Sequence, residues 1–136
     1  DYMLAESRAH GADMVLLMVS VLGERTGEMA ERAFARDLEP LVEARDATEI
    51  AIAVRSGARL IGINNRDLET LRVDLSASTR LLPLLPPTAF PVVESGISTP
   101  EQVRDFHAAG ARLFLIGEAL SGSKDPADTI RGYVGR

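Results

Sequence analysis

The chain has 136 residues, 46% of them hydrophobic and 26% charged, with a formal net charge of −5. That length suits one domain over residues 1–136, able to bury roughly 68% of its unfolded surface; the 15 Lys and Arg are scattered, which argues against a nucleic-acid partner. The chain has no cysteine, so disulfides and thiolate metal sites are excluded and a cytoplasmic setting fits; the longest apolar run, Met14 to Leu22, falls short of the roughly 20 residues of a membrane helix, and no signal peptide is visible.

In chain order, "DYMLAESRAH" reads as the end of a helix whose preceding strand is absent. "HGADMVLLMV" follows, and its Gly-Ala-charged opening returns in "SGARLIGIN" and "AGARLFLIG". Gly11, Gly57 and Gly110 stand where helices should stop, since glycine enters the left-handed cap without steric cost. The Val, Ile, Leu and Phe runs after them suit parallel strands buried on both faces. "LVEA" (41–44) and "FPVVES" (90–95) are two further strands. Helical patterns cover Arg25–Leu38, Ala47–Arg55, Ser76–Leu85, Pro100–Ala109 and Pro126–Val134. Asp46, with Glu49 three residues on, and Thr99 and Asp125, each followed within one turn by a helix former or proline, supply N-caps. Strand-helix alternation with short connections means parallel strands and right-handed crossovers. The choices are a small open doubly wound sheet or part of a (β/α)8 barrel, and in both the ligand sits at the C-terminal strand ends.

The first strand, ending in Ser20-Val21-Leu22, brings no chemistry to that rim. "LVEARD" brings Glu43, "IGINNRD" brings Asn64, Asn65, Arg66 and Asp67, "PVVESGI" brings Glu94, Ser95 and Gly96, and "FLIGEAL" brings Gly117 and Glu118. A carboxylate inside an apolar strand is costly unless partnered, and burial raises its pKa toward acid–base use. The plain alternative for Glu43 and Glu94 is a structural ion pair with a nearby Arg or Lys. The Ser95-Gly96 and Gly117-Glu118 turns let backbone amides approach a phosphate, although glycine easing a tight turn explains them equally well. Arg66 and Asp67 are read as residues that brace the loop. His10 and His107 sit near helix C-termini as surface residues, and no motif with metal-ligand spacing is present.

"GADMVLL", "LVEARD", "LIGINNRDLETL", "VVESGI" and "FLIGEAL", in that order, resemble the C-terminal half of indole-3-glycerol phosphate synthase. The resemblance implies a (β/α)8 TIM barrel of which this chain covers about the last five strand-helix units. It also implies ring closure of 1-(2-carboxyphenylamino)-1-deoxyribulose 5-phosphate, with loss of CO2 and water, in tryptophan biosynthesis. Carried over by position, Glu43 is the proton-handling base, Asn64 positions the substrate, and Glu94 is the second glutamate. Ser95, Gly96, Gly117 and the backbone at Glu118 form the phosphate cradle, and no metal or organic cofactor is implied. Two departures stand out. Arg45 replaces the histidine of the family's usual "VEVHD", and the first three strands, with their two lysines, have no counterpart; Lys124, the chain's one lysine, is placed too far away to substitute. A related barrel such as phosphoribosylanthranilate isomerase does not usually carry "INNRDL". The expectations are a truncated synthase with little activity alone or, as the alternative, a non-catalytic half-barrel that binds phosphate or self-assembles. In both cases, two open sheet edges and one bare apolar face would recruit the missing half or a second copy.

Overall fold

A computed structural model describes residues 1–135. Its elements are α1 (Tyr2–Ala9), β1 (Met14–Met18), α2 (Val19–Leu22), α3 (Thr26–Phe34), β2 (Glu39–Ala44), α4 (Ala47–Arg55), β3 (Leu60–Asn64), α5 (Ser76–Leu81), β4 (Phe90–Glu94), α6 (Pro100–Ala108), β5 (Leu113–Leu115), α7 (Glu118–Ser121) and α8 (Pro126–Val134). The strands form one parallel sheet in the order β1-β2-β3-β4-β5. Each strand neighbours the next in sequence, without the reversal of order that defines a doubly wound sheet. Repeated right-handed crossovers in a single direction put every helix on the same face. The arrangement is therefore the wall of a (β/α)8 barrel, as the family resemblance implies and as periodicity alone left open.

The two faces differ accordingly. Leu17, Val42, Ala44, Ile61, Ile63 and Val93 point toward the helices and pack in one core with Ala30, Ile50, Ala53, Leu81, Leu82 and Phe106. The alternate residues point to the concave side, where the outer strands are bare: Leu16 is 51% exposed and Leu115 is 57% exposed, with Met14 and Leu113 beside them. Burial on both faces, expected for the apolar runs after Gly11, Gly57 and Gly110, holds for β3, as it does for β4 from Pro91 onward, but fails on β1 and β5, whose concave side no described residue covers.

Several boundaries move from their expected positions. β1 stops at Met18, and Val19–Leu22 form a helical turn. α3 ends at Phe34, after which Asp37 turns through a positive φ of 54° and Leu38 drops into the core. α5 gives way to a 3-10 turn, Leu82–Leu84, where Pro83 cannot continue the hydrogen-bond ladder. The short helix α7 had no signal in the sequence. The caps are as expected: Asp46 accepts from Glu49 N–H, Asp125 from Asp128 N–H, and Thr99 with Gln102 closes a full capping box. Gly11, Gly57 and Gly110 all take positive φ directly after their helices.

Asn65 fastens this framework at its upper rim. Its buried side chain donates to Ser95 O at 3.1 Å and accepts from Ser78 Oγ at 2.8 Å and Ser78 N–H at 3.2 Å. Its own N–H donates to Glu94 O. One amide thus ties β3 to the end of β4 and to α5. Asn65→Ala leaves buried partners unsatisfied and is expected to lower stability by about 2–4 kcal/mol in urea unfolding; a loss below about 1 kcal/mol contradicts this role.

Candidate functional site

The rim residues are placed by strand register. Glu43 pairs with Gly62, and Asn64 pairs with Glu94, so the two glutamates lie on β2 and β4 with β3 between them. Neighbouring strands are about 4.8 Å apart, which leaves a gap that two long side chains can bridge only over an unobstructed middle strand. Gly62 supplies the opening. A Cβ there would stand 2.1 Å from Glu94 Oε1 and 3.1 Å from Glu94 Cδ. The Glu94 carboxyl therefore lies directly over residue 62 and reaches Glu43.

Both carboxylates are buried, Glu43 at 7% exposure and Glu94 at 3%. Among the described residues neither forms a salt bridge, so the structural ion pair is not what the chain builds. Glu94 Oε1 has no hydrogen-bond partner. Loss of water, followed by the charge of Glu43 and its hydrogen bond, pushes the Glu94 pKa up to about 7. A proton on Glu94 answers both problems at once, since the neutral carboxyl can donate to Glu43 and no longer repels it.

Asn64 accepts from Arg66 N–H at 2.9 Å through Oδ1. That bond fixes the amide plane, and no hydrogen bond engages Nδ2 among the described residues. Arg66 and Asp67 brace the loop separately, with no ion pair between them among the described residues. Asp67 instead accepts from Glu69 N–H, Thr70 N–H and the Thr70 hydroxyl, closing its own turn. Arg66 donates to Leu71 O and, at 2.9 Å, to Glu118 Oε2. Arg45 turns away from Glu43 to pair with Glu49 at 3.1 Å, so the residue that departs from the family pattern flanks the site without entering it.

Ser95, Gly96, Gly117 and Glu118 share the wall of one open cavity of about 660 Å³ with Arg66, Val73 and Ser98. Ser95 and Gly96 both have positive φ, 65° and 77°, which turns successive amides toward one side. The Gly96 and Ile97 N–H groups meet no protein acceptor among the described residues, and Glu118 and Ala119 open a helical turn whose first amides are unsatisfied. A Cβ on Gly96 would stand 2.3 Å from Val73 Cγ1, so the hairpin held by the Arg66–Val73 bridge docks against this turn. Gly117 has open space at its Cβ position. The cavity thus offers amide donors and a guanidinium, which suits a small anion.

The structure brings the candidate residues together as two adjoining groups, the Glu43–Glu94 pair with Asn64 beside it and the cavity after β4 and β5. Three contributors had no assigned role in the sequence reading: Gly62, Asn65, and Arg66 as a cavity wall. A glycine inside a strand was the available signal for Gly62, because it marks a close approach. Among the described residues no group of three or more His, Cys, Asp or Glu could hold a metal ion, and no helix is long and apolar enough to cross a membrane.

Comparison with known proteins bears on this arrangement directly. The family pattern of indole-3-glycerol phosphate synthase matches residues 1–133. The chain belongs to the indole-3-glycerol phosphate synthase family. That family's enzymes are lyases of tryptophan biosynthesis. An indole-3-glycerol phosphate synthase of Dehalococcoides mccartyi is 42% identical over 131 residues, covering 96% of this chain and 51% of the relative. Indole-3-glycerol phosphate synthase 1 of Streptomyces coelicolor is 41% identical over 134 residues, covering 98% and 50%. The chain therefore spans about half the length of the curated synthases it matches. Solved structures agree on the TIM-barrel fold. 3-Hexulose-6-phosphate synthase from Salmonella typhimurium superposes with a TM-score of 0.80 at 18% identity, over 98% of this chain and 65% of that one. A native KDPGal structure gives 0.73 at 17% identity, over 98% and 62%.

The raised Glu94 pKa makes a stability prediction for this synthase-family chain. The folded value near 7 lies above the ordinary 4.5, so the stability carried by the neutral carboxyl is complete below pH 4.5 and is lost as pH rises through 7. Glu94→Gln stays neutral throughout. Its advantage over the native chain in urea unfolding should be small at pH 4, widen up to pH 7 and then level off; parallel pH curves contradict the burial of an ionisable Glu94.

Proposed function

We propose that this chain supplies the proton-handling and phosphate-holding part of an indole-3-glycerol phosphate synthase site. The substrate is 1-(2-carboxyphenylamino)-1-deoxyribulose 5-phosphate. The observation that carries the reading is a buried pair of carboxylates, with the Glu94 pKa raised by loss of water and by Glu43, beside a cavity lined by amides and a guanidinium.

The phosphate fits the amides of Gly96, Ile97, Glu118 and Ala119, with the Ser95 turn shaping the pocket and Arg66 as the cation in its wall. Arg66 is at present held by Glu118 in a pair whose acidic side is open to water, a contact worth little and readily exchanged for a phosphate. Anchoring one end of the substrate turns the later steps into reactions between fixed groups. In the first step the ring carbon bearing the carboxylate bonds to the ketone carbon, and the ketone oxygen takes a proton. CO2 then leaves, and its bonding electrons return to the ring. Water is lost last, as the hydroxyl departs with a proton and the neighbouring carbon gives one up. Glu94, its pKa raised to about 7 by burial and by Glu43, suits the donor part of that exchange. Glu43 beside it suits the acceptor part, and the Asn64 amide suits the substrate's hydroxyls. The acid that protonates the ketone oxygen is assigned to residues outside these 136, in keeping with the lysines implied by the family resemblance.

The bare concave face belongs to the same proposal. Exposed Leu16, Leu113 and Leu115 and the open β1 and β5 edges fit cover by further barrel strands, of the kind carried in the half of the relatives that this chain does not match.

A chain of only these 136 residues is expected to show no turnover above background. Fused behind the unmatched half of the Dehalococcoides relative, it is expected to turn over substrate. In that fusion Glu43→Gln should lower kcat by about 10²–10⁴-fold with little change in KM, whereas Ser95→Ala and Arg66→Met should act mainly on KM. Robust turnover by the chain alone, or the reverse pattern among the variants, overturns the assignment.

A further inference from the structure

We propose that Gly62 is a positioning residue of the site: its missing side chain is the gap through which Glu94 crosses β3 to meet Glu43. The registers leave no other route. Glu43 stands opposite Gly62 on one side of β3, Val92 stands opposite Gly62 on the other, and Glu94 lies one same-face position beyond Val92. The Glu94 side chain therefore runs diagonally, back over residue 62. Any Cβ at that position meets Glu94 first, at 2.1 Å, whereas the next side chain, Leu41, remains at an ordinary 3.5 Å. The close contact is therefore specific to the carboxyl.

Backbone conformation does not demand this glycine. Gly62 lies within β3 and is not among the residues with positive φ, so the residue is selected by the space above it. A glycine in a strand interior weakens the strand and leaves no side chain to pack. Here that weakness sits under two buried carboxylates, one of which has an oxygen without a partner. Adding a methyl group at 62 forces Glu94 off the middle strand and separates the pair. The catalytic meaning of that separation rests on the proposed synthase reading, while the coupling itself does not, so the test below uses no activity.

The experiment compares native chain, Gly62→Ala, Glu94→Ala and the double variant. In the native chain the side-chain carboxyl of Glu94, followed by carbon NMR, should titrate near 7. In Gly62→Ala its midpoint should fall by about one pH unit or more, as the carboxyl regains water and leaves Glu43. Gly62→Ala should also lower the urea midpoint in the native background and leave it unchanged or raised in the Glu94→Ala background, where the space is empty. If Gly62→Ala does not fold but the double variant does, the proposal stands. Equal losses in both backgrounds, an unshifted Glu94 titration in a folded Gly62→Ala chain, or a double variant that fails to fold would each overturn it.

Discussion

A carboxylate taken out of water at a strand tip needs a counter-charge, a set of donors or a proton. Among the described residues Glu94 has neither of the first two: the charge that acts on it is that of another carboxylate, Glu43, and one of its oxygens has no partner. The proton is what remains, and it makes Glu94 a donor at the pH where an unperturbed glutamate would be fully ionised. Such a pair stores instability in exchange for chemistry. Its persistence depends on the backbone around it, namely the register that places β2 and β4 on either side of Gly62 and the Asn65 amide that clamps the tips of β3 and β4.

The barrel wall turns that local arrangement into a site. Sequential parallel strands point all their C-terminal ends to one rim, so residues spread from 43 to 118 in the chain share that rim. The rim is divided by chemistry. Toward β2 and β3 it is carboxylate and amide, buried and short of water. Toward β4 and β5 it is an open cavity with backbone N–H groups and Arg66, suited to a phosphate. In the proposed reading, a substrate carrying a phosphate at one end and a reacting ring at the other spans both. The concave apolar face below the rim carries none of these polar groups; in the proposed reading it is an inner surface that further barrel strands cover.

Much of this was legible in the sequence because it rests on local rules. The Gly-Ala-charged repeats fixed the helix-to-strand turns, the caps at Asp46, Thr99 and Asp125 began helices where they should, and the apolar runs gave all five strands. The unusual residues inside or just after those runs marked the rim. What was illegible depended on contacts between distant segments. No local pattern shows that Glu94 leans across Gly62, or that Arg66 reaches past Asp67 to Glu118, 52 residues away. Asn65 reads like Asn64 in the sequence, yet one amide is spent on holding the fold, while no described residue accepts from the NH2 group of the other. Choosing between a doubly wound sheet and a barrel also needed strand order, which periodicity does not carry.

The central claim is that the carboxylate pair and the anion cavity serve one molecule. Binding of indole-3-glycerol phosphate to the chain, followed by NMR at the backbone amides and the glutamate carboxyls together, tests it most directly. The account predicts that this ligand moves the amides of Gly96 and Glu118 and the Glu94 carboxyl with the same binding curve, while inorganic phosphate moves the amides alone. Amide shifts without any response from Glu94, or two unrelated binding curves, would contradict it.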